Sequence, residues 1–136
     1  MKTMNRQHGM AIVENMIAIL IFAFGILGIV GLQAASVKNT ASAKMRNDAS
    51  MLANQIVGQM WTGDRSNAAL KTAYESPAGA SFVAWTGDVA NILPGVADNP
   101  PTVVIDNNNV ATVTVRWRSP GESAAHNYVL VARIKG

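Results

Sequence analysis

From Asn15 to Val37 the chain carries no charged side chain, and Met16 to Leu32 is nearly continuous apolar sequence interrupted only by Gly25, Gly28 and Gly31. Those 17 residues stand at the lower edge of what crosses a bilayer, and Ala34, Ala35 and Val37 extend them. A helix that is apolar all round must be surrounded by lipid or by other helices, so this run sets the terms for the rest of the chain. Upstream, residues 1–9 (MKTMNRQHG) are polar and carry Lys2 and Arg6 with no acid. Near the start of the apolar stretch stands one carboxylate, Glu14.

Three readings compete for this N-terminus. A secretory signal peptide is cut after its apolar region at a small-residue site, and Ala34-Ala35-Ser36 could loosely serve. A plain membrane anchor needs only the apolar length. Both leave Glu14 unexplained, because a carboxylate placed centrally in lipid costs roughly 2.5 kcal/mol or more, and such residues are usually functional and partnered. Charge counting helps little: Lys2 and Arg6 precede the run, while Lys38, Lys44 and Arg46 follow it.

The third reading accounts for Glu14. Gly9-Met10-Ala11-Ile12-Val13-Glu14 resembles the class III leader junction of type IV prepilins. The resemblance implies cleavage by prepilin peptidase between Gly9 and Met10, and N-methylation of Met10 as the new terminus. Phenylalanine is the usual residue there, so Met10 departs from the pattern. Glu14, four residues beyond the junction, matches the family's hallmark glutamate and implies a role in subunit assembly and registration. The physical logic is that cleavage gives Met10 a cationic amine, which Glu14 can neutralise one helical turn away on the same or a neighbouring chain.

Residues 33–61 contain no proline and only Gly58. Met45, Ala49, Leu52, Ile56 and Met60 recur at spacings of 4, 3, 4 and 4, which is one helical face, and Thr62-Gly63-Asp64 ends the pattern. The organisation expected is a leader (1–9), an apolar half-helix (10–36), an amphipathic half-helix (37–61) and a head (62–136). Gly25, Gly28 and Gly31 lie at i, i+3 and i+6. They permit close helix contact or a helix that loosens, set against the plain reading that glycine is common in membrane helices.

The 75 residues of the head are too few for a generous core and need the helix stripe to cover them. Residues 62–80 read as a connecting region around a helical turn, Asn67 to Tyr74, and residues 82–95 as a short helix or turn ending before Pro94. Strands are predicted at Thr102–Asp106, Val110–Arg118 and Asn127–Ile134. In the second, Ala111, Val113, Val115 and Trp117 share one face, opposite Thr112, Thr114, Arg116 and Arg118. In the third, Tyr128, Leu130, Ala132 and Ile134 share one face. The fold class is α+β, a long N-terminal helix packed on a small antiparallel sheet of three to four strands, which matches the pilin architecture. Trp85, Leu93-Pro94-Gly95, the strand ending in Trp117, and Phe22 to Gln33 are similar to the PilV-type minor pilins.

No catalytic constellation is found. Phosphate loops and nucleophile elbows are absent, Asp106 and Glu122 read as turn and loop residues, and Ser81 and Ser123 lack an activating context. His126 reads as a hydrogen-bonded residue at a strand start. With no cysteine, and with His8 and His126 far apart, no metal site or cofactor is expected. A net charge of +3 is too mild to argue for acidic partners. Arg116, Arg118, Arg133 and Lys135 form one basic patch if their strands pair. That patch could serve DNA, although a solvated strand face is the plainer reading.

The resemblance therefore implies a minor pilin, a structural or priming subunit of a type IV pilus. Its partners would be other pilin subunits, the prepilin peptidase, the inner-membrane assembly platform and membrane lipid. It would sit in the inner membrane with a periplasmic head before joining the filament. The alternatives are a type II secretion pseudopilin, which shares leader and helix, and a filament-displayed adhesin or DNA receptor.

Overall fold

The computed structural model describes the backbone of residues 7–135 and the side chains of residues 9–135. The leader's Lys2 and Arg6, and the side chain of His8, lie outside the described residues. The element order is α1 (Gln7–Thr62), α2 (Asn67–Tyr74), α3 (Ala80–Ile92), β1 (Thr102–Ile105), β2 (Val110–Trp117) and β3 (His126–Arg133). The chain divides into two compact units, Met1–Ala41 and Ser42–Gly136.

The first unit is α1 up to Ala41. Every side chain from Gly9 to Ala41 is exposed, including Ile19, Phe22, Phe24 and Leu32. Among the described residues this is the one helix long and apolar enough to cross a membrane, and none of its apolar window is buried. An apolar helix that finds no core in its own protein requires lipid or neighbouring subunits as its solvent.

The second unit holds the core. Ala49, Leu52, Ile56 and Met60 are fully buried and Met45 packs at their margin, as the helical stripe predicts. Ala53 and Val57 join them and widen the buried face. Thr62 ends the helix at the Gly63-Asp64 break, and Ser66 caps α2 by accepting the Ala69 N–H. The helix expected around 82–95 runs instead from Ala80 to Ile92, so it starts two residues early and stops ahead of Pro94. Gly79 joins α2 to α3 so tightly that a Cβ there would lie 2.6 Å from the Ala73 carbonyl oxygen.

The sheet is a meander in the order β1-β2-β3, antiparallel throughout, so three strands form where three to four were expected. Ala111, Val113, Val115 and Trp117 point into the core, as alternation predicts. The third strand begins one residue earlier than expected, at His126, and ends at Arg133. Ile134 lies beyond its end yet is fully buried, with its N–H bonded to the Asn109 carbonyl at 2.8 Å. Tyr128, Leu130 and Ala132 share the inner face but are only half-buried, because among the described residues β3 is an edge strand with no neighbour on its far side.

Candidate functional site

Met10, Val13, Glu14 and Ile17 line one concave strip on α1. The spacing i, i+3, i+4, i+7 places them on a single face, so Glu14 sits one turn from Met10, with roughly 5–6 Å expected between Cβ atoms. Three apolar neighbours and one carboxylate make a poor solvent for charge once water is removed. That arrangement favours a cation delivered to the same strip. Gly25, Gly28 and Gly31 lie within the unbroken helix, and a Cβ at any of them would meet nothing within 4 Å.

The head separates the four cations that the sequence grouped together. Antiparallel pairing sets Arg116 opposite Asn127 and Val110 opposite Arg133. Six residues of β2 therefore separate the two pairs, roughly 20 Å along the strand. The direction reversal in a hairpin causes this: the C-terminal end of β2 meets the N-terminal end of β3. Arg116 donates to the Pro100 carbonyl at 2.9 Å, and Arg118 pairs with Asp98. Arg133 and Lys135 border a groove of about 340 Å³ with Asn108, Asn109 and Ile134. One continuous basic patch does not form.

Two polar clusters organise the head, and only one was anticipated. The Asn107-Asn108-Asn109 turn was expected, and Asp106 closes it by accepting the N–H groups of Asn108 at 2.7 Å and Val110 at 2.8 Å. These bonds, led by that from Val110, hold the Asp106 carboxyl below its ordinary value, against a smaller opposing effect of burial. Asn109 takes a positive φ of 58°. The unexpected part is what the turn docks onto: Asn67 donates to Asn109 Oδ1 at 2.7 Å and to the Asp106 carbonyl at 2.8 Å, and Asn109 donates to the Arg65 carbonyl at 3.0 Å. No periodic signal links residues 65–67 to 106–109, so the sequence gives no hint of this lock.

The second cluster holds the head residues among those that carried the finer family resemblance; Phe22 to Gln33 belong to the first unit. Trp85 is buried and its Nε1 donates to the Leu52 carbonyl at 2.9 Å, which ties α3 to the core stripe of α1. Leu93 is buried, the Pro94 carbonyl accepts the Arg118 N–H at 2.9 Å, and Gly95 adopts φ 72°. A Cβ on Gly95 would lie 2.9 Å from the Arg118 Cβ, so the turn is sealed onto the end of β2 only because the residue is glycine. Trp117, on that same strand end, is buried and stacks on His126 with ring centroids 5.7 Å apart. His126 Nε2 lies 2.6 Å from the Glu122 carboxylate, so it is a hydrogen-bonded strand-start residue. Among the described residues no group of three or more His, Cys, Asp or Glu could hold a metal ion.

Residues 4–30 match the prokaryotic N-terminal methylation motif. The match covers the junction, Glu14 and most of the apolar run, and it stops ahead of the head. No curated protein and no solved structure matches the chain. The motif supports a type IV pilin-like or pseudopilin-like subunit that is processed by prepilin peptidase and assembles with other pilins. The long N-terminal helix packed on a three-stranded antiparallel sheet is the α+β, pilin-like arrangement. The matched family is structural rather than enzymatic. An apolar helix with this leader is consistent with anchoring in a membrane before assembly into a filament.

Proposed function

We propose that the chain is a minor pilin, a structural or priming subunit of a type IV pilus. In this reading it is cut between Gly9 and Met10 and methylated on the Met10 amine. Its head lies in the periplasm before the subunit leaves the inner membrane. The observation that carries the reading is the methylation motif at residues 4–30, with Glu14 one turn from Met10 on an apolar helix that its own chain leaves uncovered. Once the amine is free, the Glu14 carboxylate becomes the counter-ion for the terminus of this or an adjacent subunit, which sets the axial register of the helix. The minor rather than major assignment, of PilV type, rests on the sequence resemblance carried by Trp85, Leu93-Pro94-Gly95, the strand ending in Trp117, and Phe22 to Gln33. A pseudopilin of a type II secretion system shares the same leader and helix and is the second reading.

The test is the intact mass and N-terminus of the chain extracted from membranes of cells with and without prepilin peptidase. A product starting at methylated Met10 that appears only with the peptidase is the expected result. A chain retaining Met1, or cut near Ser36, would overturn it. Recovery in sheared pili rather than with a secretion complex then separates the two filament systems.

A further inference from the structure

The two edges of the sheet differ in hydrogen bonding and in charge. On β1 the outward carbonyl of Val103 accepts the Ser76 N–H at 3.0 Å and the Ser76 hydroxyl at 2.9 Å. On β3 the bond from the Ile134 N–H to the Asn109 carbonyl sets the phase of the ladder, so the even-numbered residues bond to β2. The N–H and C=O groups of Asn127, Val129, Val131 and Arg133 therefore point away from the sheet, and among the described residues no backbone hydrogen bond reaches them. Charge along this edge is one-sided. Arg133 ends the strand and is its only Lys, Arg, Asp or Glu. Lys135 follows two residues on, and both border the groove of about 340 Å³ with Asn108 and Asn109. Neither cation makes an ion pair with a carboxylate among the described residues. Asp106, the acid that senses Arg133, is committed to the Asn108 and Val110 N–H groups. At the opposite end of β3, Glu122 and His126 are engaged with each other at 2.6 Å.

We infer that the β3 edge binds an extended segment of a partner protein, antiparallel to β3, with acidic residues at the segment's N-terminal end held by Arg133 and Lys135. The two features select one ligand between them. Free backbone groups on alternate residues are a template for one further strand, and every group the segment brings to the edge finds a partner there. The unpaired cations stand at one end only, so they choose an acidic segment and fix which way it runs. Perpendicular bonds favour the antiparallel direction. Side-chain alternation then sets the remaining positions. Segment residues opposite Ala132, Leu130 and Tyr128 lie on the inner face and are apolar, covering side chains that the chain alone leaves half-buried. Those opposite Val131 and Val129 lie on the exposed face beside two β-branched side chains, where threonine fits. This site lies in the head alone and stands or falls independently of the pilin reading.

The probe is an acetylated peptide, Glu-Ser-Glu-Val-Thr-Leu-Thr-Val-Thr, with a fluorophore on its C-terminal amide. It sets its glutamates opposite Lys135 and Arg133 and its last threonine opposite Asn127. Its anisotropy is followed as the full chain in detergent micelles is added, and saturable binding is expected. N-methylation of the two threonines opposite Val131 and Val129, whose N–H groups face β3, should weaken binding roughly tenfold or more. N-methylation of the leucine and the valine opposite Leu130 and Tyr128, whose N–H groups face away, should change it less than about threefold. A probe with lysine in place of both glutamates should bind roughly tenfold more weakly. The R133E/K135E chain should reverse that preference, its fold checked by its unfolding midpoint. All comparisons between probes use the unaltered chain and hold whatever the variant's stability. Absence of saturable binding, equal loss from the two N-methyl placements, or equal binding of the acidic and lysine probes would each overturn the inference. A preference for the acidic probe without the N-methyl alternation would likewise overturn it, leaving only a surface that attracts anions.

Discussion

Trp85 and Trp117 are each 1% exposed, but their indole nitrogens have opposite fates. Nε1 of Trp85 donates to the Leu52 carbonyl at 2.9 Å, whereas Nε1 of Trp117 is buried with no partner among the described residues. Replacing either with phenylalanine keeps an aromatic ring and removes the N–H. In both cases the missing part of the indole leaves a cavity of some tens of Å³, which at roughly 24 cal/mol per Å³ costs about 1 kcal/mol. At Trp85 a hydrogen bond worth about 1 kcal/mol is lost in addition. At Trp117 an unsatisfied buried donor disappears, and relief of its desolvation penalty of about 1–3 kcal/mol offsets the cavity. W85F should therefore destabilise the head by about 2 kcal/mol, while W117F should be near neutral. The assay is guanidinium unfolding of the full chain in detergent micelles, read by tryptophan fluorescence, since each variant retains the other buried indole as reporter. Equal losses for the two variants, or a larger loss for W117F, would refute the reasoning and mean that Trp117 is hydrogen-bonded in solution.

E14A should leave the head's unfolding unchanged, since Glu14 lies in the other compact unit, yet reduce recovery of the chain in sheared filaments at least tenfold; undiminished recovery would remove Glu14 from assembly. G95A should cost about 2 kcal/mol in the same unfolding assay, from a positive φ and a clash with Arg118. The lowered pKa of Asp106 stabilises the folded head above the unfolded carboxyl value near 3.8, and that stability is lost as pH falls through the depressed folded value. Wild type should thus lose more stability than D106N between pH 5 and pH 2, and parallel pH profiles would show that the turn carboxylate contributes no such stability.

Much of this architecture is legible in order of residues alone. The apolar run, Glu14 and Gly9-Met10 need no tertiary context, because they concern a segment whose solvent is not its own protein. The stripe from Met45 to Met60 and the alternation of Ala111, Val113, Val115 and Trp117 are periodic, and periodicity specifies which face is buried wherever one side meets a core. Packing decided what periodicity cannot encode. Whether Arg116 and Arg133 adjoin depends on the pairing register and strand direction, and the hairpin sends them to opposite ends of the sheet. The lock of Asn67 onto Asn109, and the bond of Trp85 to the Leu52 carbonyl, join segments 42 and 33 residues apart through single side chains that leave no pattern. The place of β3 at the rim of the sheet is of the same kind. A strand reads alike in sequence whether it lies at the centre or the rim, and only the order β1-β2-β3 shows that Val129 and Val131 stand beside unpaired backbone.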